Sequence, residues 1–129
     1  MTDVIVSGRC ARELLNLHET LRLVFLDLIG FWPENALVVT CVYRDKEEDG
    51  DLGGSGVHTT SPHRALDVRI RNLDEDPAKA QKASDSLAFL VNAKWAYDPS
   101  RPNLKVAVSK PHGSGPHLHL QVHPKTTKV

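Results

Sequence analysis

The stretch His117-Leu-His-Leu-Gln-Val-His123 alternates without a break, and no other segment restricts the fold as strongly. Successive side chains of a β-strand point to opposite faces. Leu118, Leu120 and Val122 therefore share one face, and His117, His119, Gln121 and His123 share the other. Such a strand rests one side on an apolar core and keeps the other for polar chemistry. Ala65-Leu-Asp-Val-Arg-Ile70 carries the same pattern, with Leu66, Val68 and Ile70 opposite Ala65, Asp67 and Arg69. Leu104 to Ser109 repeats it, with Leu104, Val106 and Val108 inward. Ala36 to Tyr43 is apolar and β-branched throughout, which predicts a strand covered on both faces.

Two segments have helical periodicity instead. Leu14, Leu17, Leu21, Val24, Phe25 and Leu28 recur at steps that put them on one stripe, predicting one amphipathic helix over Arg9 to Ile29. Ser7 is its expected N-cap, Gly30 its C′ residue, and Pro33 blocks continuation. Asp76-Pro77 opens a second helix, with Asp76 as N-cap. Its stripe is Ala80, Ala83, Leu87, Leu90 and Val91, and it should end near Lys94. The order helix, strand, strand, helix, strand, strand predicts an α+β fold, two helices packed on one face of a mainly antiparallel sheet. The 129 residues suit one domain spanning 1–129. Lys125 to Val129 are expected to fray.

Charge and composition exclude several functions. Sixteen basic side chains balance sixteen acidic ones, with no basic block, so no nucleic-acid footprint is present. Aromatic residues make up 5% of the chain, too few for a base-stacking surface. No apolar run approaches the roughly 20 residues of a membrane helix, so no membrane insertion is expected. Met1-Thr2-Asp3-Val4 lacks the charge and apolar stretch of a signal peptide, which predicts synthesis in the cytoplasm. Cys10 and Cys41 are expected to be buried, unpaired thiols, because neither belongs to a close cysteine pair.

The chemistry lies in the histidines. Five of the seven fall between His58 and His119: His58 and His63, then His112, His117 and His119. A glycine-rich polar loop, Arg44 to Gly56, leads into the first pair. Asp67 and His119 project from the polar faces of two strands, and His58 enters from the loop. His, Asp and His are zinc ligands that leave a position open, the pattern of a catalytic rather than a structural ion. Such an ion activates water and polarises a carbonyl. His117 shares a face with His119 and serves either as the proton-transfer group or as a further ligand. His123 is a candidate replacement, and Arg44 sits where it can stabilise an oxyanion. Against this stands the plainer possibility of a solvated His-x-His pair and an Asp67–Arg69 ion pair.

Ser55-Gly-Val-His58, His63-Arg-Ala-Leu-Asp67-Val-Arg69 and Gly115-Pro-His-Leu-His119 together resemble the D-alanyl-D-alanine peptidase family. That family includes carboxypeptidases, dipeptidases and phage L-alanyl-D-glutamate endolysins, and shares its fold with the zinc domain of hedgehog proteins. The resemblance covers about residues 10 to 123 and includes Tyr43-Arg44, which matches the family's strand-end pair. It implies a hedgehog/DD-peptidase-like fold and a zinc ion held by His58, Asp67 and His119. It also implies His117 as catalytic base, Arg44 as substrate-binding and oxyanion-stabilising residue, and the peptidoglycan stem peptide as substrate. A phage or prophage wall-lytic role is the expected context, acting after release or from a virion. A non-catalytic metal-binding or structural module on the same fold is the alternative. The chain departs from the motif in three places. His58 precedes Asp67 by nine residues rather than seven, and Thr60 stands at seven. His63 replaces the glycine before Arg-Ala, which makes it a rival first ligand. Pro116 stands where another branch of the family has a glutamate.

Overall fold

The fold was examined in a computed structural model that describes residues 2–42, 57–109 and 115–129. The elements in chain order are β1 (Asp3–Val6), α1 (Gly8–Leu14), α2 (Glu19–Phe31), β2 (Ala36–Cys41), a 3-10 turn (Val57–Thr59), β3 (Ala65–Arg69), α3 (Pro77–Lys94), β4 (Trp95–Ala96), β5 (Ala107–Val108), β6 (His117–Gln121) and β7 (Thr127–Lys128). The main sheet runs β1-β2-β3-β6-β5, and β4 pairs with β7 separately. Among the described strands β1 and β2 pair in parallel and the other ladders are antiparallel. The fold is α+β with a mostly antiparallel sheet, as the alternation implies.

Hydrophobic burial sets the register at the centre. Leu66 and Val68 of β3 lie opposite Leu120 and Leu118 of β6, and all four are fully buried. They join Leu21, Val24, Leu28, Leu87 and Val91 of α2 and α3 in one core. Each such side chain contributes about 1.5–3 kcal/mol by leaving water. A one-residue slip would turn all four outward. That cost, roughly 6–12 kcal/mol, matches the whole stability of a typical domain. Asp67 is therefore held opposite His119, and Arg69 opposite His117, on the other face.

Several expected elements differ. The first helix is two helices. Ser7 caps α1 as expected, accepting from the Cys10 amide at 3.3 Å. The helical pattern then stops, because Asn16 and His18 give backbone bonds to His63. The His63 amide donates to the Asn16 carbonyl at 2.8 Å, and the His18 amide to the His63 carbonyl at 2.7 Å. The His18 ring restarts the helix, accepting from the Thr20 amide at 3.1 Å. Leu17, Leu21, Val24 and Leu28 stay buried across the break, so the stripe was read correctly and the continuity was not. Gly30 lies inside α2 rather than at C′, and Trp32 is the cap.

α3 starts at Pro77 under Asp76 and ends at Lys94, as expected. Its buried stripe is Ala80, Ser84, Leu87, Ala88 and Val91, while Leu90 is exposed. The strand expected over Leu104 to Ser109 is reduced to Ala107–Val108. Asn92 of α3 takes both the amide and the carbonyl of Ala107 at 2.9 Å each, so it caps that sheet edge. Ala107, not Val108, is the buried residue of the pair. β1 was not expected. It is four residues long, with Val4 and Ile5 exposed, and the β2 ladder holds it. The C-terminus does not fray: β7 pairs with β4, and the Val129 amide donates to the Lys94 carbonyl at 2.9 Å. Among the described residues no helix is long and apolar enough to cross a membrane.

Candidate metal centre

Asp67 is the hub of the polar face. It is only 5% exposed, and three imidazoles surround its carboxylate. His58 Nε2 lies 3.4 Å from Oδ1, His119 Nδ1 2.8 Å from Oδ1, and His117 Nε2 3.6 Å from Oδ2. His58 arrives on the 3-10 turn, which Thr60 fastens to β3. The Thr60 hydroxyl donates to the Val57 carbonyl at 2.9 Å and accepts from the Arg64 amide at 3.2 Å. Thr60, standing where the family motif has its histidine, thus holds the turn while His58 reaches Asp67.

The hydrogen bonds on the far side of each ring fix where its lone pair points. His58 Nδ1–H donates to the Val42 carbonyl at 2.8 Å. Its Nε2 is buried and has no hydrogen-bond partner. His117 Nδ1–H donates to the Gly115 carbonyl at 2.9 Å, leaving Nε2 toward Asp67. Gln121 settles His119: its amide nitrogen donates to the Lys105 carbonyl at 2.9 Å, so its Oε1 faces His119. His119 Nε2 faces that Oε1 at 3.1 Å and its Nδ1 faces Asp67 Oδ1 at 2.8 Å, so both ring nitrogens meet oxygen acceptors. Nitrogens of all three imidazoles thus surround the one carboxylate. A cation at the carboxylate would take the inner nitrogens as ligands, and outer partners that fix the tautomer are usual around metal-binding histidines.

The spacing fits an ion. Two atoms bound to one tetrahedral zinc at ordinary bond lengths lie roughly 3.3–3.4 Å apart. The His58 and His117 separations from Asp67 match this within a few tenths of an ångström. The His119 contact is at hydrogen-bond length and needs about 0.5 Å of opening to reach that spacing. One nitrogen each of His117 and His119 and an oxygen of Asp67 lie within 4.8 Å of one another, and so do potential ligand atoms of Cys41, His58 and Asp67; among the described residues the expected set of His58, Asp67 and His119 is split between these two groups, which share Asp67.

Burial alone would raise the Asp67 pKa. The hydrogen bond from His119 and the contact with His58 outweigh it, and the carboxyl is held well below its usual range. Because the folded pKa is the lower one, the charged carboxylate stabilises the fold above the ordinary aspartate value. That contribution is lost only as pH falls through the folded pKa.

The other candidates lie elsewhere. His63 is buried, but its ring faces the Thr60 carbonyl at 2.8 Å and Glu13 Oε2 at 2.6 Å, joining the loop to α1. His123 accepts from the Lys125 amide at 3.1 Å and packs on Tyr97. Among the described residues the ion pairs of Asp67 are to histidines, and Arg69 is not among them. Arg44 lies outside the described residues, as do Tyr43, Ser55 and His112. Cys41 was missed: the alternation of its strand gives no sign that it turns toward the histidines. Gln121 was assigned to the right face without a role.

Gln121→Ala should weaken zinc binding by roughly 10–100-fold, the usual cost of losing an outer partner of a metal-bound histidine. Competition with a chromophoric chelator measures this, and unchanged affinity would remove Gln121 from the account.

No protein-family model matches the chain, and neither a curated protein nor a solved structure does.

Proposed function

We propose that the chain is a zinc-dependent peptidase that hydrolyses an amide bond in the peptide part of bacterial peptidoglycan. The observation that carries the metal half is the gathering of three imidazoles around the buried Asp67 carboxylate, which two close ligand groups share. The peptidase half rests on the sequence resemblance, and with it goes the proposal that this α+β sheet is the hedgehog/DD-peptidase-like arrangement. His58, Asp67 and His119 are the residues that would hold the ion. A zinc ion so held, with a position open, supplies activated water and a Lewis acid for the amide carbonyl.

The protein's own groups divide the remaining work. Asp67 orients the cluster and keeps its negative charge. Val42 and Gln121 hold the His58 and His119 rings in place through their outer nitrogens. His117 sits at the rim with a side chain 14% exposed, and its Nε2 is free of the Gly115 bond, so it is placed to accept and return a proton. Arg44 is proposed as the oxyanion-stabilising group from the resemblance alone. A phage or prophage lytic role is the proposed setting.

A second reading has its own observation. His117, His119 and Asp67 form one of the two close ligand groups, which suits a metal-binding module with both strand histidines as ligands and no turnover. One experiment separates them: zinc-loaded parent protein and His117→Ala are incubated with purified peptidoglycan, and released peptides are followed by mass spectrometry beside zinc analysis. The peptidase reading expects peptide release that a chelator stops. It also expects His117→Ala to keep its zinc and lose about 10²–10⁴-fold in rate. Loss of zinc from that variant, with no cleavage by the parent, would establish the module instead.

A further inference from the structure

We infer that Cys41 is a thiolate ligand of the same metal ion as His58 and Asp67, an inference that rests on the metal centre proposed above. It starts from an irregularity in β2. Val39 pairs with Val68, but Cys41 pairs with Asp67, so Thr40 is an extra residue on the β2 side. In a regular ladder Thr40 would oppose Asp67, and Cys41 would oppose Leu66 and enter the core. The bulge turns Cys41 onto the Asp67 face and returns Val42 to the core, where it is fully buried. Bulges commonly re-aim a side chain beside a functional site.

The turned thiol meets a group that calls for a cation. The buried His58 Nε2 has no hydrogen-bond partner, and Cys41, His58 and Asp67 each offer a ligand atom within 4.8 Å of the other two. Cys41 Sγ is 3.8 Å from His58 Nδ1, the nitrogen bonded to the Val42 carbonyl. Sulfur and nitrogen on one tetrahedral zinc sit roughly 3.6 Å apart, so the Cys41 side chain must turn Sγ from the Nδ1 edge of the ring to Nε2. A cysteine–histidine nucleophile is the competing use of these residues. It fails on the tautomer: Nδ1 donates its proton to Val42, and the lone pair faces Asp67, not the sulfur. On metal binding the thiol proton passes to solvent as the metal–sulfur bond forms, with no change of oxidation state. Sulfur, nitrogen and oxygen together select zinc or cobalt over magnesium, calcium or manganese.

Cobalt(II) titration of the purified chain tests this, because a thiolate ligand produces an intense sulfur-to-cobalt charge-transfer band in the near ultraviolet. The band should appear in the parent, vanish in Cys41→Ser and persist in Cys10→Ser. Alkylation of the parent, mapped by mass spectrometry, needs no variant: zinc should slow labelling of Cys41. Cobalt bound without the band, a band lost only in Cys10→Ser, or Cys41 labelling indifferent to zinc would overturn the inference and leave the histidine–aspartate centre standing. A parent that binds neither cobalt nor zinc would overturn both.

Discussion

Asp67→Ala should leave the purified protein essentially without zinc, against about one ion per chain in the parent. Among the described residues, no other side chain forms ion pairs with all three histidines, and its carboxylate is the one acidic group paired with them. Losing a ligand that is also the charge of the site should exceed the roughly 10–100-fold cost of losing an outer partner. An affinity loss on the order of 10³-fold or more is expected. Asp67→Asn controls for shape, since it keeps the volume and removes the charge. Folding of both variants is followed by circular dichroism, so that metal loss is not mistaken for unfolding. The lowered pKa of Asp67 shows that the site favours the charged form despite burial. Zinc retained at parental affinity by Asp67→Asn would contradict the central role given to this residue.

The second large effect is on stability. An ion that binds only the folded chain adds about 4.1 kcal/mol when free zinc is 1,000 times its dissociation constant. For a chain of this length that corresponds to a rise in melting temperature on the order of 10–20 °C. Magnesium at the same concentration should give no comparable shift, because imidazole nitrogens suit zinc and not magnesium. An ion would stabilise the chain for a physical reason: it would give a partner to the buried His58 Nε2, which has no hydrogen-bond partner among the described residues. A calorimetric scan with zinc, with chelator and with magnesium measures the differences directly. Coincident transitions in all three would mean that the cluster is a hydrogen-bonded polar network and nothing more.

Much of the site was legible because alternation is a local property. Asp67 and His119 were placed on one face from the leucines and valines beside them, and the register puts them directly opposite each other. His58 needed more. Its separation from Asp67 departs from the family motif, and Thr60 had first to be seen as the residue that secures the turn. His63 looked like an equal rival in the chain, and its bonds to Glu13 and Thr60 assign it to the packing of α1.

The side-chain pattern alone was enough to say which residues enter the core, where α3 begins, and that the histidines of β6 share a face. These follow from period and from caps acting over a few residues. Three features lay beyond it. The split of the first helix depends on His63, some 45 residues further along the chain, capturing backbone groups at Asn16 and His18. The ordered C-terminus depends on β4. The turn of Cys41 toward Asp67 depends on a bulge set by pairing with β3. In each case a segment distant in sequence supplies the hydrogen bonds that choose between two locally acceptable backbones, and local periodicity carries no record of that choice.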